Sequence, residues 1–170
     1  MIEKFSFDIQ FKKFHKKLIL VKGDVETRAH VVLKLLAYIL FYDERLQVEI
    51  DLGFHYKPDL AIPGAGYEPD LWVDCGYVSP AKVESLARKL KRARLVFIKS
   101  SEAELKQFKK LVQRRVDAFE RLEFLAFEAG FVEKLAEALA RSNHVAVYPI
   151  PENAIGVALN DEVFESNLYR

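Results

Sequence analysis

The chain predicts an α/β protein, a mixed β-sheet with helices packed on its faces. Three observations carry that expectation. Phe5, Phe7, Ile9 and Phe11 alternate with Ser6, Asp8 and Gln10, the period-two pattern of a half-buried strand. Further on, Leu95-Val96-Phe97-Ile98 is an apolar run of strand length, suited to burial on both faces. It follows a strand and a helix, and that order predicts a right-handed parallel crossover. Near the end, Val145-Ala146-Val147-Tyr148 and Ile155-Gly156-Val157-Ala158-Leu159 flank Pro151-Glu152-Asn153 and read as a hairpin. A length of 170 residues fits one domain, 1–170.

Leu18-Ile19-Leu20-Val21 is a second strand, joined to the first through Lys12-Lys13-Phe14-His15-Lys16-Lys17. That basic stretch reads as an exposed turn, or as a loop that touches nucleic acid. Asp24 is placed to N-cap a helix running to about Tyr42. Val32, Leu35, Leu36, Ile39 and Leu40 form its core stripe at helical spacing. Glu26 and His30 stand one turn apart on another stripe; as a lone pair they read as a satisfied polar contact rather than a metal site. Leu46 to Leu52 alternates as a strand. Ser79-Pro80 opens a helix reaching about Ala93, with Pro80 in its first turn. Ser101-Glu102-Ala103-Glu104 is a capping box for a helix burying Leu105, Phe108, Leu111 and Val112. Leu122 to Phe127 fits a strand or a helix, and Phe131 to Arg141 a short amphipathic helix.

A chain of this size buries about 70% of its unfolded surface without disulfides or a structural metal, and 51% hydrophobic residues supply the core. The single cysteine, Cys75, excludes an internal disulfide and suits a reducing compartment. The first residues lack a basic segment followed by an apolar run, so no signal peptide is expected. The apolar segment from Leu35 to Tyr42 falls short of the ~20 residues that span a bilayer. A soluble, cytoplasmic protein without a membrane partner is the expectation.

Net charge is +1, but it is segregated. From Lys82 to Arg115 there are twelve Lys and Arg against three Glu, while Asp43 to Asp74 holds eight acids against Arg45 and Lys57. A basic region beside an acid cluster suits an enzyme that grips polyanions and holds metal. Lys106, Lys109, Lys110 and Arg114 form the outer face of the helix after Ser101. The same pattern also describes ordinary solvated helix faces.

The acid cluster has internal order. In Pro69-Asp70-Leu71-Trp72-Val73-Asp74-Cys75-Gly76 a strand would place Asp70, Trp72, Asp74 and Gly76 on one face and Leu71, Val73 and Cys75 on the other. Pro58-Asp59 heads Leu60-Ala61-Ile62, and the turn-rich Pro63-Gly64-Ala65-Gly66-Tyr67-Glu68 lies between. A hairpin centred near Gly66 has partners summing to about 133, with opposed side chains roughly 5 Å apart. Asp59 then faces Asp74. A divalent cation with oxygen ligands would relieve their repulsion. Asp70 and Asp74 stand roughly 13 Å apart along one strand, too far to share an ion. Solvated acids on an edge hairpin remain the alternative.

No G-x-x-x-x-G-K-[ST], G-x-G-x-x-G or G-x-S-x-G occurs, and His15, His30, His55 and His144 lack zinc spacing. The chain does resemble the YaeQ family. The resemblance rests on Glu26-Thr27, Leu35-Leu36-Ala37-Tyr38, Asp43-Glu44-Arg45-Leu46, Leu71-Trp72-Val73-Asp74-Cys75-Gly76 and the Ser/Pro-started helix that follows. It implies a restriction-endonuclease-like, YaeQ-type fold, similar to the PD-(D/E)xK nucleases. On that resemblance Asp59 matches the first motif acid, Asp74 the second, and Glu26 the acid on the first helix. Gly76 stands where the motif has lysine. Lys82 could supply a relocated ammonium, with Lys89 and Lys99 as weaker candidates.

Two readings follow. One is a degenerate nuclease, kept as a module that binds nucleic acid or protein. The other is a phosphodiester hydrolase holding Mg²⁺ or Mn²⁺ on Asp59 and Asp74, with Glu26 orienting water and Lys82 facing the developing charge.

Overall fold

The computed structural model describes residues 1–151 and 153–170; the central residue of the predicted C-terminal turn, Glu152, lies outside them. The chain opens with β1 (Glu3–Phe11) and β2 (Phe14–Lys22), an antiparallel pair. The turn is only Lys12-Lys13, so Phe14 to Lys17 belong to β2 rather than to a basic loop. Helix α1 (Arg28–Leu40) follows, then β3 (Gln47–Val48), β4 (Leu60–Ile62) and β5 (Leu71–Cys75). Helix α2 (Pro80–Lys89), β6 (Arg94–Lys99), α3 (Glu102–Gln113) and β7 (Leu122–Phe127) form parallel crossovers. Helix α4 (Phe131–Ala138) leads into β8 (Ser142–Ile150), β9 (Ala154–Leu159) and β10 (Glu162–Tyr169).

The ten strands of the described residues join one sheet in the order β2-β1-β8-β9-β10-β7-β6-β5-β4-β3. It curls around α1. Residues from nearly every strand pack with α1 and α4 in one core, while α2 and α3 cover the outer face of β5 to β7 around Trp72, Phe97, Phe108 and Phe124. The two sheet edges converge on a single side chain: Lys34 of α1 donates to the Val21 carbonyl on β2 at 3.4 Å and to Glu49, just past β3, at 3.0 Å.

That wrapping changes several expectations. Val31 to Ile39 are all buried, so α1 is enclosed on every side rather than along one stripe. Its cap is Thr27, whose hydroxyl accepts from the His30 N–H; Asp24 instead pairs with the N-terminal ammonium at 2.5 Å. The Leu46–Leu52 strand shrinks to two residues because Glu49 takes a left-handed φ of 52°, which extended backbone does not allow. Helix α2 stops at Lys89, not Ala93. There the Glu68 carboxylate accepts the N–H groups of Lys91, Arg92 and Ala93, and Arg121 takes the carbonyls of Ala87, Leu90 and Ala93. Helix α4 ends at Ala138, short of the expected Arg141. Leu111 is 45% exposed rather than core. Strand β10, unforeseen in the sequence, fills the middle of the sheet.

The acid hairpin has the expected register, with Leu60 opposite Val73 and Ala61 opposite Trp72. It is not an edge hairpin with a solvated face. β5 is buried on both sides, between α1 and α2.

Candidate functional site

The N-terminal end of α1 carries Glu26, His30 and Lys34 at successive helical turns. Glu26 lies just before the helix, where its Oε2 accepts from the Gly23 N–H at 2.6 Å. Its Oε1 lies 2.9 Å from His30 Nδ1 and accepts from Lys34 Nζ at 3.2 Å. Burial works against the Glu26 charge, but the Gly23 N–H and the Lys34 ammonium outweigh it, so this carboxyl sits below its ordinary range. Lys34 itself is fully buried. Burial disfavours its charge, yet Glu49 and Glu26 together hold its pKa above the usual value.

Asp59 comes to this group from the other side. The ladder ends at the Leu60–Val73 pair, and the Asp59 N–H bonds to the Val73 carbonyl at 3.0 Å rather than carrying the pairing on to Asp74. Its carboxylate turns toward α1. Asp59 Oδ2 accepts from the Cys75 N–H at 2.7 Å and lies 3.3 Å from His30 Nε2. Both ring nitrogens of His30 therefore face carboxylates. Burial lowers the His30 pKa, but the Asp59 hydrogen bond and charge, with Glu26 behind them, outweigh it, and the balance lies above the ordinary value. Protonated His30 occupies the place of a cation between two acids. Ligand atoms of Glu26, His30 and Asp59 all fall within 4.8 Å of one another.

Asp74 does not join them. Its side chain faces α2, where Oδ2 accepts from Trp72 Nε1 and from Lys82 Nζ, each at 3.0 Å. Lys82 also lies over the Tyr56 ring, 5.4 Å from its centroid. Burial raises the Asp74 pKa; Lys82 and Trp72 oppose the rise without cancelling it, and the Asp59 charge adds to it. Asp59 and Asp74 thus interact across the strand end, but their hydrogen bonds run to opposite faces of the sheet. Asp70 is exposed and pairs with Arg45 at 2.9 Å, far from either role.

Glu26 and His30 open onto a cleft of about 800 Å³ bounded by the start of α1, the ends of β5 and β6, and α3. Cys75, Gly76, Lys99 and Glu104 line it. Gly76 adopts φ 74°, a conformation that favours glycine. From α3 the cleft receives Glu104, Gln107, Phe108 and Leu111. Lys106, Lys109, Lys110 and Arg114 lie outside its lining: Lys106 pairs with Glu102 at 3.1 Å, and Lys109 sits 5.2 Å from the Phe124 ring centroid. Lys89 is exposed at the far end of α2.

Of the anticipated residues, the fold brings together Glu26 and Asp59, and separately Asp74 and Lys82. His30 as the link and Lys34 as its support were not singled out as functional. Their signal was the i, i+4, i+8 run of Glu26, His30 and Lys34, three ionisable groups on one stripe of an otherwise apolar helix.

A family model described as YaeQ protein matches residues 12–168. The crystal structure of the YaeQ protein from Xanthomonas axonopodis pv. citri shares this fold with a TM-score of 0.79 at 20% identity, over 98% of this chain and 95% of that one. That of the YaeQ protein from Pseudomonas syringae gives 0.77 at 19% identity, over 98% and 93%. No curated protein matches. The chain belongs to the YaeQ family.

Proposed function

We propose that this YaeQ-family chain is a divalent-metal-dependent phosphodiester hydrolase of restriction-endonuclease-like type, working in the cytoplasm. The observation that carries the reading is the convergence of Glu26, His30 and Asp59 within 4.8 Å beside a cleft. Two carboxylates and one imidazole form a mixed oxygen and nitrogen donor set that suits Mn²⁺ better than Mg²⁺. A divalent ion held there would lower the pKa of a bound water and neutralise phosphate charge.

The chain's own groups have separable roles in this reading. Glu26 and Asp59 hold the ion, and neutral His30 completes the donor set. Since the imidazolium occupies the same space, metal competes with a proton and binds more tightly as pH rises. Lys34 keeps Glu26 ionised. Asp74 and Lys82 act from the other face as a positioning pair, fixing the end of β5 that presents the Cys75 N–H to Asp59.

Calorimetric titration of Mn²⁺ into the wild type, His30→Ala and Asp59→Asn is the direct test. One site per chain is expected in the wild type, with at least tenfold weaker binding in each variant. Hydrolysis of a dinucleotide and of single- and double-stranded DNA and RNA should follow Mn²⁺ occupancy. A wild type that binds Mn²⁺ but cleaves none of them favours the second reading, a nuclease-like fold that binds nucleic acid or protein without cleaving. Gly76 in place of the motif lysine, the exposed Lys106, Lys110 and Arg114, and the half-buried Lys109 beside them speak for that reading.

A further inference from the structure

Lys99 is a buried lysine without a carboxylate. It ends β6 with 6% of its surface exposed. Among the described residues no Asp or Glu oxygen lies within 4.0 Å of its Nζ. The other lysines of the site differ: Lys34 has Glu26 and Glu49, and Lys82 has Asp74. Lys99 Nζ donates to the Gly76 carbonyl and lies 3.9 Å from the centroid of the Phe108 ring. One carbonyl uses one of its three N–H donors. An aromatic face offsets part of the desolvation, but a buried charge without a counter-ion remains unfavourable.

Two N–H donors of this ammonium remain for a further acceptor. Lys99 lines the same cleft as Glu26 and His30. Ser100 lies beside it on that lining, and Tyr77, 91% exposed, stands at the rim next to Gly76. Glu104 also lines the cleft, and it accepts from the Ser100 hydroxyl at 3.3 Å rather than from Lys99. One part of the cleft wall therefore offers the Glu26 carboxylate and the His30 imidazole, and another an ammonium without a carboxylate partner.

We propose that Lys99 is the anion subsite of this cleft and binds a non-bridging phosphoryl oxygen of a phosphodiester. The proposal deepens the hydrolase reading and rests on it for the substrate class: the cluster of Glu26, His30 and Asp59 takes the cation, and Lys99 takes the anion. The basic face of α3 lies outside the cleft, so recognition of the reacting phosphate falls to Lys99 and not to Lys106, Lys109 or Lys110. Substrates short enough to enter the cleft need no grip from that outer face.

The charge of Lys99 is also tunable near neutrality. Burial lowers its pKa to about 8, while Glu104 on α3 and Asp74 and Cys75 on β5 pull the other way. His30 on α1 is a further titrating group in the cleft, with its own carboxylate partners. Anion binding by Lys99 should therefore weaken as pH climbs from 7 to 9, and the weakening should disappear when arginine replaces it.

Dimethyl phosphate, a monoanion throughout that range, is the probe, followed by NMR on the metal-free full-length chain. Wild type should bind it, Lys99→Met should weaken binding at least tenfold, and Lys99→Arg should stay within about threefold of wild type and lose the pH dependence. A measurement that needs no variant runs alongside. Reductive methylation with formaldehyde, mapped by mass spectrometry, should show Lys99 protected by dimethyl phosphate while Lys106 and Lys110 are not. Binding in Lys99→Met equal to wild type, absence of binding in the wild type, or no protection of Lys99 overturns the proposal. Mn²⁺ titration of the same proteins separates the two ideas. Lys99→Met should bind Mn²⁺ as wild type does; a wild type that binds dimethyl phosphate but no Mn²⁺ refutes the hydrolase reading alone, and a wild type that binds Mn²⁺ but no dimethyl phosphate refutes this one alone.

Discussion

Asp59 and Asp74 sit at the same end of one antiparallel pair, yet their surroundings are opposite. Asp74 is 2% exposed, shut between Trp72 and Lys82 on the α2 side. Asp59 is half-buried on the α1 side, where it meets His30 and, through it, Glu26. One acid has its charge answered by a single lysine and an indole N–H. The other shares a cation-shaped space with a second acid. The sheet register brings the two residues near each other, but the last hydrogen bonds of the ladder decide which way each carboxylate points. The open acid belongs to the candidate site, and the closed one ties its strand to α2 through Lys82.

The sharpest way to break this comparison is Lys34→Ala. It leaves Glu26, Glu49 and the Val21 carbonyl without their shared donor, and removing one partner of a buried ionic group costs about 3–5 kcal/mol; the partial exposure of both acids places the expected loss near the lower figure, about 3 kcal/mol. Urea denaturation measures it. A loss below about 1 kcal/mol would mean that the sheet edges close without this contact.

Asp59→Ala and Asp74→Ala test the division of labour directly. The first should weaken Mn²⁺ binding by about 100-fold or more, while the second should change it by no more than about tenfold, the low end of an outer-shell effect. Equal losses in the two variants would return Asp74 to the ligand set.

Asp74→Asn should raise stability at neutral pH by about 1 kcal/mol, or roughly 2–4 °C in Tm for a chain of this size. The sign follows from linkage. The folded-state pKa of Asp74 lies above its ordinary value of 3.8. The uncharged carboxyl is therefore the better-tolerated form, and its advantage is complete below the unfolded-state value and lost as pH climbs through the folded one. Asparagine keeps an acceptor for Trp72 and avoids the buried charge. The gain should shrink as the medium is acidified toward the ordinary carboxylate range. Thermal melts at pH 7 and pH 4 check this, and a gain that grows on acidification would contradict it.

The smallest effect concerns α3. Reversing Lys106, Lys109 and Lys110 to Glu should change stability by no more than about 0.5 kcal/mol and leave turnover of a dinucleotide unchanged. Any binding of long DNA or RNA to this face should weaken for all sequences alike and show a steep salt dependence in wild type. A fall in dinucleotide turnover would place the basic face at the cleft after all.

Much of the frame was legible because it rests on local pattern. Strand alternation in β1, the Ser79 and Ser101 caps, the parallel crossover and the register of the acid hairpin depend on neighbours a few residues apart. Strand β10 was not legible: Glu162 to Tyr169 mixes polar and apolar residues without a clean period, and Asn160 and Asp161 take left-handed conformations that form the turn before it. The full burial of α1 was hidden for a different reason. Its stripe of apolar residues looks like that of any surface helix, and only a sheet that curls around it removes the remaining faces from water.

For the site, the sequence by itself determined which acids the chain offers and that Asp59 and Asp74 stand at the same end of one hairpin, since pairing register follows from turn position and the period of two. It also placed Glu26 and His30 one helical turn apart. Tertiary structure decided the rest. Docking α1 against the end of β5 brings His30 between Glu26 and Asp59, and docking α2 on the other face seals Asp74 with Lys82. Side-chain direction at a strand end is set by contacts between elements far apart in the chain, and a local pattern carries no record of them.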